Sequence, residues 1–379
     1  MARVPHSPPL PPLKYVVGID IAKDTFVACL GHIDAHQALH LSRKPAEFAN
    51  DAAGFAACRR WVAAGTGHAA LPLRYVVEAT GSYYEELAYY LHDQQQAVSV
   101  LLPQKVRHFA LSTEVKSKTD QLDARLLCRL GLERQLPAWQ PLSPTLRQLR
   151  FLTRERSTLR SQAAQLKNRR HSARHSFEPD ARALARLAQH QALLEEQIAE
   201  IEAQVAALVA ADPVLARKLG HLTSIPGVGM VTAATVVGET NGFALIENER
   251  QLASYAGLDV VQRQSGKLSR PTSISKRGNA RIRTALYLPA LSSLCYNAQQ
   301  KAFYARLRTQ SGNGKVGVIA VMRKLLLLTY SLWKNDAPYD PTRALPATQL
   351  PQQRVAPAPL GAEATQDEPQ KVLLQEAQR

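Results

Sequence analysis

The chain has 379 residues, 45% of them apolar, which is room for about two domains and a sizeable core. A formal net charge of +16 and a pI near 9.9 point to a polyanionic partner rather than a neutral or acidic one. Cys29, Cys58, Cys128 and Cys295 lack CxxC or Cys/His pairing, which suggests neither a zinc site nor a disulfide scaffold and fits a reducing cytoplasm.

A proline-rich lead, 1–13, lacks the apolar core of a signal peptide and reads as disordered. "YVVGIDIAKDTFVACL" then reads as two strands around a polar break at 22–24. A helix is expected over about 46–63, then the strand "LRYVVEAT", a helix after Gly81, the strand "AVSVLLP" and a helix opened by "KSKTDQLDARLL". Strands alternating with helices imply an α/β domain over 14–135.

Acids punctuate that domain. Asp20 closes the first apolar strand and Glu78 another, while Asp120 and Asp123 stand three apart, on one helix face. Strands of one sheet can deliver their terminal acids to one edge, and converging carboxylates repel unless a hard divalent cation such as Mg²⁺ or Mn²⁺ neutralises them. Ions held there would serve phosphoryl transfer. Simpler roles stay open: Asp20 as a turn residue, Glu78 paired with Arg74 or capping a turn, and the aspartate pair as a helix cap complementing the dipole.

Residues 144–211 hold no glycine and carry apolar residues at helical spacing, as in "LLEEQIAEIEAQVAALVA". Two long helices, forming a coiled coil and broken near 177–180, are expected. A second, mainly helical domain follows over 213–335, and a Pro/Ala/Gln-rich tail, 336–379, reads as disordered. In this second domain "IPGVG" precedes an Ala/Val helix; Gly227 and Gly229 would allow a tight turn offering backbone N–H groups to phosphate, a helix-hairpin-helix element. The alternative is a glycine connection that only packs two helices.

No acid occurs between Asp259 and Asp336, yet 14 Lys and Arg lie from Arg263 to Lys334. That is the footprint of phosphate binding. Within it Ser265 sits between Arg263 and Lys267, followed by Lys276, Arg277, Arg281 and Arg283 around a helix start near Asn279. A serine hydroxyl needs a base or cationic setting to act as nucleophile; Ser269, Ser273 and Ser275 compete for that part, and a phosphate-contacting loop serine is the plainer reading. "VGVIAVMRKLLLLTYSLW" carries Arg323 and Lys324 at its middle and is expected as a buried or groove-facing helix, not a membrane span.

"GIDIAKDTF", "EATGSYYEELAYYL" and "KSKTDQLDARLL", with the downstream SGK and SKRGN runs, resemble the DEDD transposases of the insertion-sequence family usually numbered one hundred and ten, whose relatives include the Piv/MooV DNA invertases. The likeness spans roughly 15–335. It implies a RuvC-like, RNase H-type domain whose metal-binding acids fall on Asp20, Glu78, Asp120 and Asp123, and a C-terminal transposase domain in which Ser265 joins DNA through a phosphoserine bond. It further implies a composite site across protomers of a dimer or tetramer, and an element-encoded noncoding RNA bridging donor and target DNA. A metal-dependent nuclease of branched DNA, or a non-catalytic nucleic-acid-binding protein, would share the phosphate-binding features.

Overall fold

The structure, a computed structural model, describes residues 11–41, 43–66, 71–113, 119–244, 246–265 and 268–341, and of 263–265 and 268–271 the backbone alone. Most of the proline-rich lead and of the C-terminal tail, for which disorder is expected, lies outside these residues.

The β-branched run before Asp20 forms β1 (Pro12–Ile21), which turns at Ala22 into β2 (Thr25–Asp34). The next strands, β3 (Leu39–Leu41) and β4 (Ala46–Ala49), pair antiparallel with β2, and α1 (Ala52–Thr66) follows. The helix expected over 46–63 is thus corrected at its start. Phe48 stacks on Phe26 of β2 with ring centroids 5.5 Å apart, so pairing with a sheet edge overrides the helical propensity of "AEFA". Asp51 then opens the helix, its carboxylate accepting from the amide of Gly54 at 2.7 Å.

After α1 come β5 (Leu73–Glu78), α2 (Glu85–Asp93), β6 (Ala97–Leu101), α3 (Pro103–Ser112) and α4 (Asp120–Glu133). The strand path is β3-β2-β1-β5-β6, with β1 antiparallel to β2 and parallel to β5. Both faces of the sheet are covered, as parallel strands require. Tyr15, Val17, Ile19 and Ile21 pack with residues of α1 and α2; Val16 and Val76 pack with Ala124, Leu127 and Cys128 of α4.

Gly18 decides how close α4 can come. A methyl group there would lie 2.1 Å from the amide nitrogen of Cys128 and 2.2 Å from the carbonyl oxygen of Ala124. Helix backbone therefore rests directly on the strand.

The helical part begins with α5 (Pro144–Arg174) and α6 (Ala181–Ala210). They run antiparallel, since Arg156 pairs with Glu202 at 2.6 Å and Arg170 donates to Gln191 at 2.8 Å. Leu194, Ile198, Ile201, Val205 and Val209 form the buried stripe of α6, spaced as a two-helix seam demands. The start of α5 abuts α2, with Arg150 3.5 Å from Glu85 and the Arg147 guanidinium 5.2 Å from the Tyr89 ring centroid.

Then follow α7 (Pro213–Thr223), α8 (Met230–Glu239), α9 (Glu249–Tyr255), the hairpin β7 (Val260–Ser265) and β8 (Leu268–Ile274), α10 (Ala280–Tyr296), α11 (Ala298–Ser311) and α12 (Gly314–Asn335). The hairpin adds a strand pair to a region expected to be mainly helical. Among the described residues α12 is the one helix long and apolar enough to cross a membrane. Its Val321, Met322, Leu325 and Leu326 belong to the core of the helical part, as a buried helix requires.

Candidate active site

Strand alternation fixes which way the two strand-ending acids face. Asp20 follows Val16 and Gly18 at steps of two, so it lies on the α4 side of the sheet; Glu78 follows Val76 to the same side. The parallel register pairs Ile19 with Val77, which sets Asp20 level with Glu78 on neighbouring strands. Helix α4 runs antiparallel to β1: Gly131 lies over Val16 and Cys128 over Gly18. Continuing that direction brings the first turn of α4, with Asp120 and Asp123, toward the end of β1 that carries Asp20. The carboxyl ends of parallel strands are the usual site edge of such sheets.

The cap of α4 is Thr119, whose hydroxyl accepts from the amide of Leu122 at 3.3 Å. Asp120 is therefore not the capping residue. Its exposed carboxylate remains available for another role, although the helix dipole still favours an acid in that turn. Lys116 and Lys118 lie outside the described residues. The pairing of Glu78 with Arg74 is disfavoured by distance, since four strand residues span about 13 Å, and Arg74 donates instead to Ser99 at 2.8 Å.

Asp20 and Glu78 share the sheet edge, and Asp120 and Asp123 stand on the helix turn directed toward it. Among the described residues no three Asp, Glu, His or Cys groups converge closely enough to hold a metal ion. In donor chemistry the set fits: four hard oxygen donors suit Mg²⁺ or Mn²⁺.

In the helical part, Gly227 and Gly229 occupy the turn between α7 and α8. Gly227 has φ +92°, and a methyl group there would lie 3.0 Å from both the Pro289 carbonyl oxygen and the Ser293 amide nitrogen. That glycine serves close packing on α10. At Gly229, the N-cap of α8, nothing lies within 4 Å of an added methyl, which leaves the helix start open.

Ser265 ends β7, its backbone paired with Leu268 across the hairpin, and Arg263 pairs with Arg270. The side chains of Arg263 and Ser265, and all of Gly266 and Lys267, lie outside the described residues. Beyond β8, Ser275 donates to Asp259. Lys276 adopts φ +52°, its amide donating to Gly257 at 3.1 Å. Lys276, Arg277 and Arg281 are exposed around the N-cap Asn279. Arg283 turns inward, its Nη1 donating to the carbonyls of Ala256 at 2.8 Å and Gly278 at 3.1 Å; it braces the loop that displays the other cations.

Sequence reasoning passed over Glu239. This carboxylate is 3% exposed and receives Arg154 at 2.6 and 2.9 Å and Asn279 at 2.7 Å. Tyr255 donates to its backbone carbonyl at 2.7 Å. Burial pushes its pKa up, but the hydrogen bonds from Arg154 and Asn279 outweigh that and hold it below the usual carboxylate range. A lone acid in "MVTAATVVGE" was the available signal, whereas its partner Arg154, 85 residues away, is one arginine of many in α5. A second cation cluster was also missed: the Arg306 guanidinium lies 5.5 Å and the Lys324 ammonium 4.8 Å from the Phe303 ring centroid.

Comparison with known proteins matches two stretches of the chain to transposase families. A transposase model of the DEDD, IS110 type matches residues 17–179, and the model described as "Transposase IS116/IS110/IS902 family" matches 219–305. The pilin gene-inverting protein of Moraxella lacunata is 31% identical over 336 residues, covering 86% of this chain and 98% of that protein. The transposase for insertion sequence element IS1328 of Yersinia enterocolitica is 27% identical over 242 residues, 57% of this chain and 66% of that one. With one model on the acid-bearing sheet, one on the cationic helical part, and a relative aligned along most of its length, the chain belongs to the IS116/IS110/IS902 family of transposases and is a DNA transposase or recombinase.

Proposed function

We propose that this transposase cuts and rejoins DNA strands by a covalent serine route, with the acids of the sheet edge and Ser265 acting in one reaction. The observation that supports the reading is the register that sets Asp20 level with Glu78, at the strand end toward which α4 directs its first turn. The strand order, with β1 central, antiparallel to β2 and parallel to β5, supports an RNase H-type, RuvC-like sheet, here the domain 14–135.

Asp20, Glu78, Asp120 and Asp123 would hold Mg²⁺ or Mn²⁺, which when bound supplies charge compensation at the scissile phosphate. The Ser265 hydroxyl would attack phosphorus. Its Oγ–P bond forms as the P–O bond to the departing strand breaks, the serine proton passing to the departing strand's oxygen, which leaves as a hydroxyl, so rejoining needs no outside energy. Arg263, Lys267, Lys276, Arg277 and Arg281 would neutralise phosphates, as would the open α8 start at Gly229 in a helix-hairpin-helix role. Arg306 and Lys324, which flank the Phe303 ring and form no ion pair among the described residues, would offer further phosphate contacts.

The antiparallel α5–α6 hairpin, within 144–211, would join protomers into a dimer or tetramer, since two duplexes need several cleaving sites. An element-encoded RNA is the expected guide, and the net charge of +16 accommodates it beside DNA. Inversion of a DNA segment, rather than excision and insertion, is a second outcome of the same chemistry, and the 31% identity to a pilin gene-inverting protein favours keeping it in view.

The test uses protein co-expressed with its flanking DNA, so that any element RNA is present. With Mg²⁺ and labelled junction DNA, wild type should cleave, while Asp20→Asn and Asp120→Asn should lose cleavage by about 10³-fold or more, the scale of losing a charge-stabilising group. Full cleavage by both variants would sink the metal-site reading.

A further inference from the structure

Asp20 and Glu78 each lead into a loop, and one side chain ties the two loops together. Asn50, between β4 and α1, donates from Nδ2 to the carbonyls of Ala22 at 3.1 Å, Lys23 at 3.3 Å and Tyr83 at 3.2 Å. Its own amide donates to the carbonyl of Asp24 at 2.9 Å. Ala22 and Lys23 form the turn one residue beyond Asp20; Tyr83 belongs to the loop that follows Glu78.

The chemistry of this knot admits few residues. Three carbonyl oxygens meet at one point, and only a donor group can sit among them. The amide orientation follows from that, because the reversed amide would set its own oxygen against three others. The Asn50 Oδ1 is buried and has no hydrogen-bond partner among the described residues. An aspartate of the same shape would lose both donor hydrogens and add a repelling charge.

We propose that Asn50 is a positioning residue for Asp20 and Glu78, a strut that sets the spacing at which the two carboxylates receive a divalent cation. The inference rests on the metal-site reading above. It requires no contact between Asn50 and the ion: the side chain holds to one amide the two loops that leave the strands just beyond Asp20 and Glu78, fixing the backbone on which both carboxylates are carried. Partners one shell removed from a metal ligand typically change affinity by about 10- to 100-fold when lost.

The test is Mn²⁺ binding to the full-length protein, followed by the loss of the free-ion electron paramagnetic resonance signal, for wild type, Asn50→Ala, Asn50→Ser, Asn50→Asp and Asp120→Asn. Thermal melts in chelator and DNA binding without divalent ions accompany each variant. Asn50→Ala and Asn50→Asp should bind Mn²⁺ about tenfold more weakly, with Asn50→Ser, which keeps one donor, in between. DNA binding without divalent ions should not change. Raising Mn²⁺ should restore cleavage to Asn50→Ala but not to Asp120→Asn.

If Asp120→Asn weakens Mn²⁺ binding while folded Asn50 variants match wild type, the strut is wrong and the metal site stands. If Asp120→Asn also matches wild type, the metal site itself fails, and the strut with it. Should Asn50→Ala not fold, Asn50→Ser decides by the same comparison.

Discussion

Removing Arg154 should destabilise the helical part more than removing Glu239, although the two belong to one ion pair. Loss of one partner of a buried pair costs about 3–5 kcal/mol because the other charge is left uncompensated. The partners differ in exposure: the Glu239 side chain is 1% exposed and that of Arg154 39%. In Glu239→Ala the guanidinium regains water, placing the cost near the low end, about 3 kcal/mol. In Arg154→Ala the carboxylate stays enclosed with Asn279 as its remaining side-chain donor, so the cost approaches about 5 kcal/mol. The double variant should cost less than the two singles summed, the excess being their coupling. Urea unfolding followed by tryptophan fluorescence and far-UV circular dichroism would read this, with the transition of the helical part analysed separately because a chain of this size need not unfold in one step. Equal losses below about 1 kcal/mol, the scale of a surface pair, would refute the claim that this is a buried, structure-bearing charge.

The same carboxylate sets a pH dependence. Because its folded pKa lies below the unfolded value of 4.5, its stabilisation is complete above that value and is lost as pH falls through the lower, folded one. Melts from pH 6 downward should therefore show an acid loss that Glu239→Gln, already destabilised at neutral pH, does not share. Gly18→Ala should displace α4, since the methyl would meet backbone atoms of Cys128 and Ala124 at 2.1 and 2.2 Å; a loss of about 3 kcal/mol or more is expected, and soluble protein with a wild-type melt would count against the close approach. Arg281→Ala should reduce the salt dependence of DNA binding by about one phosphate contact and leave the melt unchanged. Arg283→Ala should instead lower the melting temperature, as its guanidinium braces Ala256 and Gly278; the reverse pattern would exchange their roles.

Much of the sheet was readable because its strands are unusually apolar and end in acids: "VVGID" and "RYVVE" became β1 and β5. The face on which Asp20 and Glu78 stand follows from alternation alone, but their common level does not, since it depends on a parallel register between strands separated by β2, β3, β4 and α1. "AEFA" was misread as helix because its strand state comes from pairing with β2, a contact local propensity cannot carry. The β7–β8 hairpin left a signal in "VVQRQSGKLSRPTSI", two polar-alternating runs about a glycine, masked by the helical character of its surroundings. Thr119 rather than Asp120 caps α4, a distinction one residue wide that capping preferences do not resolve. Nothing in the order of residues announces Asn50 or Arg154, whose partners lie far away in sequence.

The central claim joins a serine on the β7–β8 hairpin to acids on a different part of the chain, and a covalent protein–DNA adduct tests it most directly. Labelled junction DNA would be incubated with Mg²⁺ and the co-expressed protein, then run on a denaturing gel beside Ser265→Ala and Asp120→Asn. The account predicts an adduct in the wild type that is lost in both variants. Cleavage without an adduct, retained by Ser265→Ala and lost by Asp120→Asn, would contradict it and leave a metal-dependent nuclease that hydrolyses DNA with water.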